Sequence, residues 1–312
     1  MPRKKLDQFL WVEKYRPTTV SDTLLPKTMK MFFTKTLKKG EIPNLLFYSS
    51  NPGVGKTTIA KALCEELDID YLYINTSSKS GIDTLRTDIE KYASVKSLSS
   101  STKVVILDEF DGASINLQQG LRASIERFHN SCRFIFTANY ITKMIEPLKS
   151  RCQIVDFNMM SKSVQNEMIP KISVRLKNIL KFEKVDFNPE TIDKVVSLYY
   201  PDIRSMLQLL QQYSTTYGNI DNNIFEYQKI DDEFYNYILQ KDLTNARKYL
   251  IERSYNYDEL FRELFDHFVP KLERTSRAQA ILTIAEYMYK NSFVVDKEIN
   301  ATAMLLELIG LL

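Results

Sequence analysis

The run Asn51-Pro52-Gly53-Val54-Gly55-Lys56-Thr57-Thr58 has the residue types and spacing that hold a triphosphate. Gly53 and Gly55 let the backbone turn its N–H groups toward phosphate oxygens, and a helix starting here adds its positive end. Lys56 supplies a mobile charge to the β- and γ-phosphates, and Thr57 a hydroxyl to Mg²⁺. Ser50 stands where the full pattern has its first glycine. That position shapes loop entry rather than chemistry. Further along, Val104-Val105-Ile106-Leu107 is an apolar run that ends in Asp108-Glu109. Asp108 is suited to hold Mg²⁺ and Glu109 to polarise the attacking water. Asp111 continues the acidic run and reads as a solvated turn residue. Thr137-Ala138-Asn139 ends another apolar run, which puts the Asn139 amide within reach of the γ-phosphate or the lytic water.

These groups need strand ends to carry them. Strands are expected at 44–48, 71–75, 103–107, 133–137 and 153–157. The helices between them are expected at 57–67, 82–95 and 116–129. The 103–107 run is apolar throughout, as a strand covered on both faces should be. Alternating strands and helices predict an α/β domain with a parallel sheet. Residues 1–40 are mixed and broken by Pro17 and Pro26. The alternation stops near Phe157. Helices are then expected at 162–181, 189–199 and 202–216, with about four more from 231 onward. The polar, turn-rich stretch from Tyr217 to Asn223 reads as a linker. The expected domains are an α/β domain (1–157), a small helical domain (158–224) and an all-helical C-terminal domain (225–312). Apolar features such as Met159-Met160, Tyr199-Tyr200 and the Met304–Ile309 stripe read as core or subunit interface.

Bulk properties narrow the class. A chain of 312 residues is too long for one ordinary core. With a net charge of +3, the whole chain does not announce nucleic-acid binding, so such a surface must come from local clusters or from several copies together. Three cysteines, Cys64, Cys132 and Cys152, argue against a disulfide framework and read as reduced thiols in a cytosolic protein. Two histidines, His129 and His267, are too few for a histidine metal site. No apolar stretch approaches membrane-spanning length. The basic start Met-Pro-Arg-Lys-Lys lacks the apolar run of a signal peptide.

The order of phosphate loop, Asp-Glu strand end and Thr-x-Asn, then Ser150-Arg151-Cys152, resembles the clamp-loader branch of the AAA+ ATPases. Trp11-Val12-Glu13-Lys14-Tyr15-Arg16-Pro17 and Pro201-Asp202-Ile203-Arg204 are similar to two further motifs of that branch. The similarity covers roughly residues 10–210. Within the branch, Asp108-Glu109-Phe110-Asp111 and Ala60-Lys61-Ala62-Leu63-Cys64 look most like the ATPase subunits of T-even-phage clamp loaders. Cellular relatives usually carry Ala or Cys where Phe110 stands.

The resemblance implies that Arg151 is a finger reaching the γ-phosphate held by a neighbouring subunit. It implies that Val12, Glu13, Lys14, Tyr15, Arg16, Pro17 and Leu24 lie against the adenine, and that Arg204 reaches the phosphates from the lid. It also implies partners: four copies of the chain with one different subunit, a sliding clamp and primer–template DNA, in a host cytoplasm. DNA would meet Lys79, Ser80 and Arg86 at the start of one helix, and Asn116 and Gln118 at the start of the next. Such backbone contacts carry no base information. Arg122 could tie DNA contact to Glu109 or form an ordinary helix-surface ion pair. A polypeptide unfoldase would need an aromatic pore loop, and Thr76-Ser77-Ser78-Lys79-Ser80-Gly81 has none. A helicase loader or branch-migration motor would share the phosphate loop, but not Ser150-Arg151-Cys152 or Lys14-Tyr15-Arg16-Pro17.

Overall fold

A computed structural model describes residues 9–76, 82–95, 102–227, 230–253, 255, 257–291 and 293–312, with the backbone alone at 82–86 and 226. The chain packs into two compact units, Met1–Asn222 and Asn223–Leu312. In the first, α1 (Trp11–Lys14) and α2 (Lys27–Lys39) precede β1 (Leu45–Tyr48), α3 (Lys56–Glu66), β2 (Tyr71–Asn75), α4 (Ile82–Ser94) and β3 (Lys103–Asp108). Then come α5 (Ile115–Arg127), β4 (Cys132–Ala138), α6 (Glu146–Lys149) and β5 (Gln153–Asp156). Next are α7 (Lys162–Phe182), β6 (Asp186–Phe187), α8 (Pro189–Tyr199), α9 (Ile203–Tyr217) and β7 (Asn219–Ile220). In the second unit, α10 (Ile224–Tyr227) precedes α11 (Asp232–Leu239), α12 (Leu243–Glu252), α13 (Tyr257–Glu263), α14 (Arg274–Asn291) and α15 (Lys297–Gly310).

The five strands β1–β5 form one parallel sheet in the order β2-β3-β4-β1-β5. Period-2 alternation sends successive residues to opposite faces. Leu46, Val105, Leu107, Phe134 and Phe136 pack with Ile89 of α4 and Leu117, Leu121 and Ile125 of α5. Leu45, Phe47, Val104, Ile106 and Ile135 pack with Phe33 of α2 and Ile59, Ala60 and Leu63 of α3. All of β3 is buried, which explains its unbroken apolar sequence. The order also makes β3, β4 and β1 neighbours. Asp108, Asn139 and the phosphate loop, distant in sequence, therefore emerge side by side at the carboxyl ends of the strands.

Helix α2 falls where the sequence reads as mixed. Pro26 lies at its N-cap rather than inside it, and Gly40 ends it in the left-handed conformation (φ 70°). Within the expected linker, Asn219–Ile220 pairs in parallel with Asp186–Phe187, and the boundary between the units follows directly. The second unit is built on Phe234, Phe261, Phe268, Met304, Leu305 and Leu308, so the C-terminal apolar stripe is core.

Candidate functional site: a nucleotide cavity between strand ends and helical lid

The phosphate loop leaves β1 and enters α3 with Gly53 at φ 65° and Gly55 at φ 92°, conformations that favour glycine. Gly53 is constrained twice. A Cβ there would lie 1.7 Å from Asp202 Oδ1, because the lid presses that carboxylate onto the loop. Asp202 caps α9, accepting from the Ser205 N–H at 3.0 Å. Lys56 Nζ donates to the Ser49 carbonyl (3.1 Å) and to Asn139 Oδ1 (3.0 Å). Burial lowers the Lys56 pKa, and Asp111 and Asp108 oppose that shift.

Asp108 is buried and gathers three hydroxyls. Thr57 and Thr137 each donate to its Oδ1 at 2.6 Å, and Tyr73 donates to Oδ2 at 2.8 Å. Burial raises the Tyr73 pKa and the bond to Asp108 raises it further, so the phenol stays a donor. Glu109 is exposed and left-handed (φ 55°), and its N–H donates to Thr137 Oγ1 at 3.0 Å. A non-glycine residue at positive φ costs free energy, so surrounding contacts must hold it there. Asp111 is buried rather than solvated. It accepts from the Asn139 N–H (3.1 Å) and the Tyr140 N–H (3.2 Å), which fixes the backbone that aims the Asn139 amide.

A cavity opens over these strand ends. Its floor is Pro52 to Thr58 with Asp108, Glu109, Thr137 and Asn139. One wall is Val12, Tyr15, Arg16, Pro17 and Leu24. The roof is Arg175, Leu176 and Ile179 of α7 with Ile203, Arg204 and Leu207 of α9. The N-terminal segment is bolted to the lid. Gln211 of α9 accepts from the Trp11 N–H (2.8 Å) and donates to the Phe9 carbonyl (2.7 Å). Glu183, which caps α7, pairs with Lys14 Nζ at 2.8 Å and accepts from the Tyr15 hydroxyl.

Several expectations need correction or fall outside the described residues. Glu13, Lys14 and Asn51 do not line the cavity, although the Asn51 carbonyl accepts from Lys56 Nζ at 3.4 Å. Glu13 pairs with Arg16 and Lys14 with Glu183, so both side chains serve the strap itself. Gln118 is 1% exposed and cannot meet DNA. Its amide donates to the Ala113 and Lys143 carbonyls and accepts from the Ile145 N–H. Asn116 is exposed in the first turn of α5. Lys79 and Ser80 lie outside the described residues, as does the side chain of Arg86. Arg122 forms a long i,i+4 pair with Glu126 (4.0 Å), the helix-surface alternative. Arg151 is not in its own chain's cavity. Its Nε donates to Glu126 at 3.0 Å and its Nη1 to the Pro147 carbonyl at 2.8 Å.

The sequence reading gave no role at the site to Thr137, Tyr73, Asp111 and Arg175. The first three are hydroxyl or carboxyl groups near the motifs, so spacing could have flagged them. Arg175 lies in the helix expected at 162–181, where no motif singles it out.

The cavity suits a nucleotide. It gathers Arg16, Lys56, Arg175 and Arg204, and Arg16 Nε is a buried donor left without an acceptor. Thr57 and Asp108 offer oxygen donors of the kind Mg²⁺ prefers. The described residues contain no group of three or more His, Cys, Asp or Glu placed to hold a metal ion. Burial pushes all three thiols up to about 12, so none is poised as a nucleophile.

Residues 45–158 match the family model of the ATPase family associated with various cellular activities (AAA). The sliding-clamp-loader large subunit of Enterobacteria phage T4 is 32% identical over 83% of this chain and 84% of its own length. That of Escherichia phage RB69 is 29% identical over 95% and 94%. A replication factor C small subunit of Pyrobaculum aerophilum is 30% identical over 96% and 94%. The Thermotoga maritima RuvB branch-migration motor superposes with a TM-score of 0.54 over 81% of this chain and 88% of its own, at 18% identity, a likeness of fold alone. No helix among the described residues is long and apolar enough to cross a membrane. The parallel sheet, the phosphate cavity and these relatives agree: the chain belongs to the clamp-loader branch of the AAA+ ATPases.

Proposed function

We propose that this chain is the ATP-hydrolysing motor of a sliding-clamp loader, which opens a clamp and sets it on primer–template DNA, with DNA stimulating hydrolysis. The observation that carries the reading is a division of labour. One cavity holds the phosphate loop, Asp108, Glu109, Asn139 and Arg204, while Arg151 is turned away toward Glu126. An arginine absent from its own site is available to a neighbour's.

In this reading the loop N–H groups and Lys56 hold the β- and γ-phosphates of ATP. Thr57 and Asp108 hold Mg²⁺, which neutralises charge developing on the phosphates. Glu109 takes a proton from the attacking water, and Asn139, braced by Asp111, orients that water or the γ-phosphate. Arg204 comes from the lid of the same subunit and Arg151 from the next. Val12, Tyr15, Arg16, Pro17 and Leu24 enclose the base. Residues 1–157, 158–224 and 225–312 act as ATPase domain, lid and collar. Four copies assemble with one different subunit in the host cytoplasm. Asn116, Lys79, Ser80 and Arg86 serve as contacts to the DNA backbone in this reading, so affinity falls steeply with salt.

The test is an ATPase assay on the assembled complex, with primer–template DNA and cognate clamp added alone and together. Strong stimulation only when both are present is expected. Stimulation by branched DNA with indifference to the clamp would favour a branch-migration motor instead.

A further inference from the structure

Two guanidiniums enter the cavity roof, and the sequence motifs account for only one. Arg204 of α9 matches a motif. Arg175 of α7 does not, yet it lines the same cavity. Its neighbours on α7 show what an ordinary surface cation does in this helix. Lys171 pairs with Glu167 at 2.6 Å and Lys177 with Asp193 at 2.7 Å. Arg175 forms no hydrogen bond or ion pair with any described residue. It is half-buried and shares its cavity with Arg16, Lys56 and Arg204. Asp22, Asp108 and Glu109 line the same cavity, yet none pairs with Arg175, which leaves a half-buried cation available to an arriving anion.

Its position along the cavity is also defined. Arg204 lies two residues after Asp202, whose carboxylate packs against Gly53, so α9 brings it to the phosphate end. Helix α7, which carries Arg175, reaches Tyr15 on the opposite wall, where the Phe182 and Tyr15 rings meet edge-on with centroids 6.1 Å apart. Arg175 is followed by Leu176 and, one turn on, by Ile179, which line the apolar part of the roof.

We propose that Arg175 is a nucleotide-binding residue that donates to the α-phosphate and ribose end of the bound nucleotide, complementing Arg204 at the γ end. The two lid helices then grip one ligand at separate points, α7 near the base and α9 near the terminal phosphate. The proposal rests on the cavity being the nucleotide site. It adds that binding through Arg175 does not depend on the third phosphate.

Fluorescent ATP and ADP analogues titrated into the full chain test this, with Arg175→Met, Arg175→Lys, Arg175→Gln and Lys56→Ala compared. Loss of one charge-assisted contact should weaken ATP and ADP by a similar factor, about 10- to 100-fold, in Arg175→Met. In the assembled complex the loss should fall on KM far more than on kcat. Arg175→Lys should recover part of the affinity and Arg175→Gln little, at unchanged thermal midpoints. If Arg175→Met does not fold, the Lys and Gln variants decide by that order. Wild-type affinity in Arg175→Met or Arg175→Gln, with Lys56→Ala impaired, overturns the proposal and leaves the nucleotide site standing. A loss confined to ATP also overturns it, by moving Arg175 to the γ-phosphate. If Lys56→Ala binds normally too, the nucleotide reading itself fails.

Discussion

The floor and the roof of the cavity are built on opposite plans. On the floor the groups that would hold phosphate and metal already have partners. Asp108 holds three hydroxyls, Lys56 rests on Asn139 and a backbone carbonyl, and Asp111 fixes the turn that carries Asn139. In the roof, Arg175 and Arg204 have no hydrogen bond or ion pair with any described residue. The difference teaches where rigidity and responsiveness lie. Strand ends of a packed sheet hold reacting groups in fixed geometry, which favours chemistry because little reorganisation remains. Unpaired cations on the lid respond to an arriving anion, which favours binding-driven closure. The strap 9–16 belongs with the roof, since Gln211 and Glu183 tie it to the lid helices.

The contrast can be sharpened by substitution. The largest effect should come from neither surface. Arg151→Ala should lower turnover of the assembly by about 10³- to 10⁵-fold, the scale of an arginine finger, with nucleotide affinity of the isolated chain unchanged. On the floor, Glu109→Gln should lower kcat by about 10²- to 10⁴-fold while ATP binding and clamp opening persist. Surviving turnover would remove Glu109 from its role as base.

Asp111→Ala separates support from chemistry. It strands two N–H groups, and each unsatisfied donor costs about 1–3 kcal/mol. Both the melting temperature and kcat should drop, whereas Glu109→Gln should leave the melting temperature alone. The glycines test the contact between floor and roof. Both sit at positive φ, but only a Cβ on Gly53 strikes Asp202, while that on Gly55 meets open space. Without nucleotide, Gly53→Ala should destabilise more than Gly55→Ala, whose backbone strain alone is worth about 1 kcal/mol. Equal destabilisation would mean that the Asp202 contact carries no energy.

The smallest expected effect is a pH dependence. Burial holds the Lys56 pKa below its ordinary 10.5. Bound phosphate favours the charged form, so ATP binding takes up a proton at alkaline pH. Affinity should therefore begin to fall below the pH at which an ordinary lysine would lose its charge. A flat affinity profile through that range would detach Lys56 from phosphate.

Much of the floor was legible because its chemistry is local. Gly53 to Thr58 and Asp108-Glu109 are short strings whose types state their purpose, and the apolar run of β3 announced its burial. The roof was harder. Arg204 could be read only through a family motif, and Arg175 not at all, because an arginine in an amphipathic helix is usually a solvated one. Gln118 misled for the converse reason. A polar residue near a helix start reads as exposed, but here tertiary packing turns it inward to satisfy Ala113, Lys143 and Ile145. Helix α2 was hidden by Pro26, which ends one segment and starts the next. Lys14 and Glu13 sit in the right motif, yet Val12, Tyr15 and Arg16, at i, i+3 and i+4, share the face that lines the cavity, and Glu13 and Lys14 fall outside it.

The central claim is that two chains complete one hydrolytic site. Mixing two inactive variants in one assembly tests it most directly. Arg151→Ala keeps a working cavity and lacks the finger, whereas Glu109→Gln keeps the finger and lacks the base. Wherever the first variant's cavity meets the second variant's Arg151, a whole site re-forms. Assemblies reconstituted from the mixture should therefore hydrolyse ATP well above either parent. If the mixture assembles and binds ATP but stays at the parental rate, the finger does not act between chains, and the account is wrong.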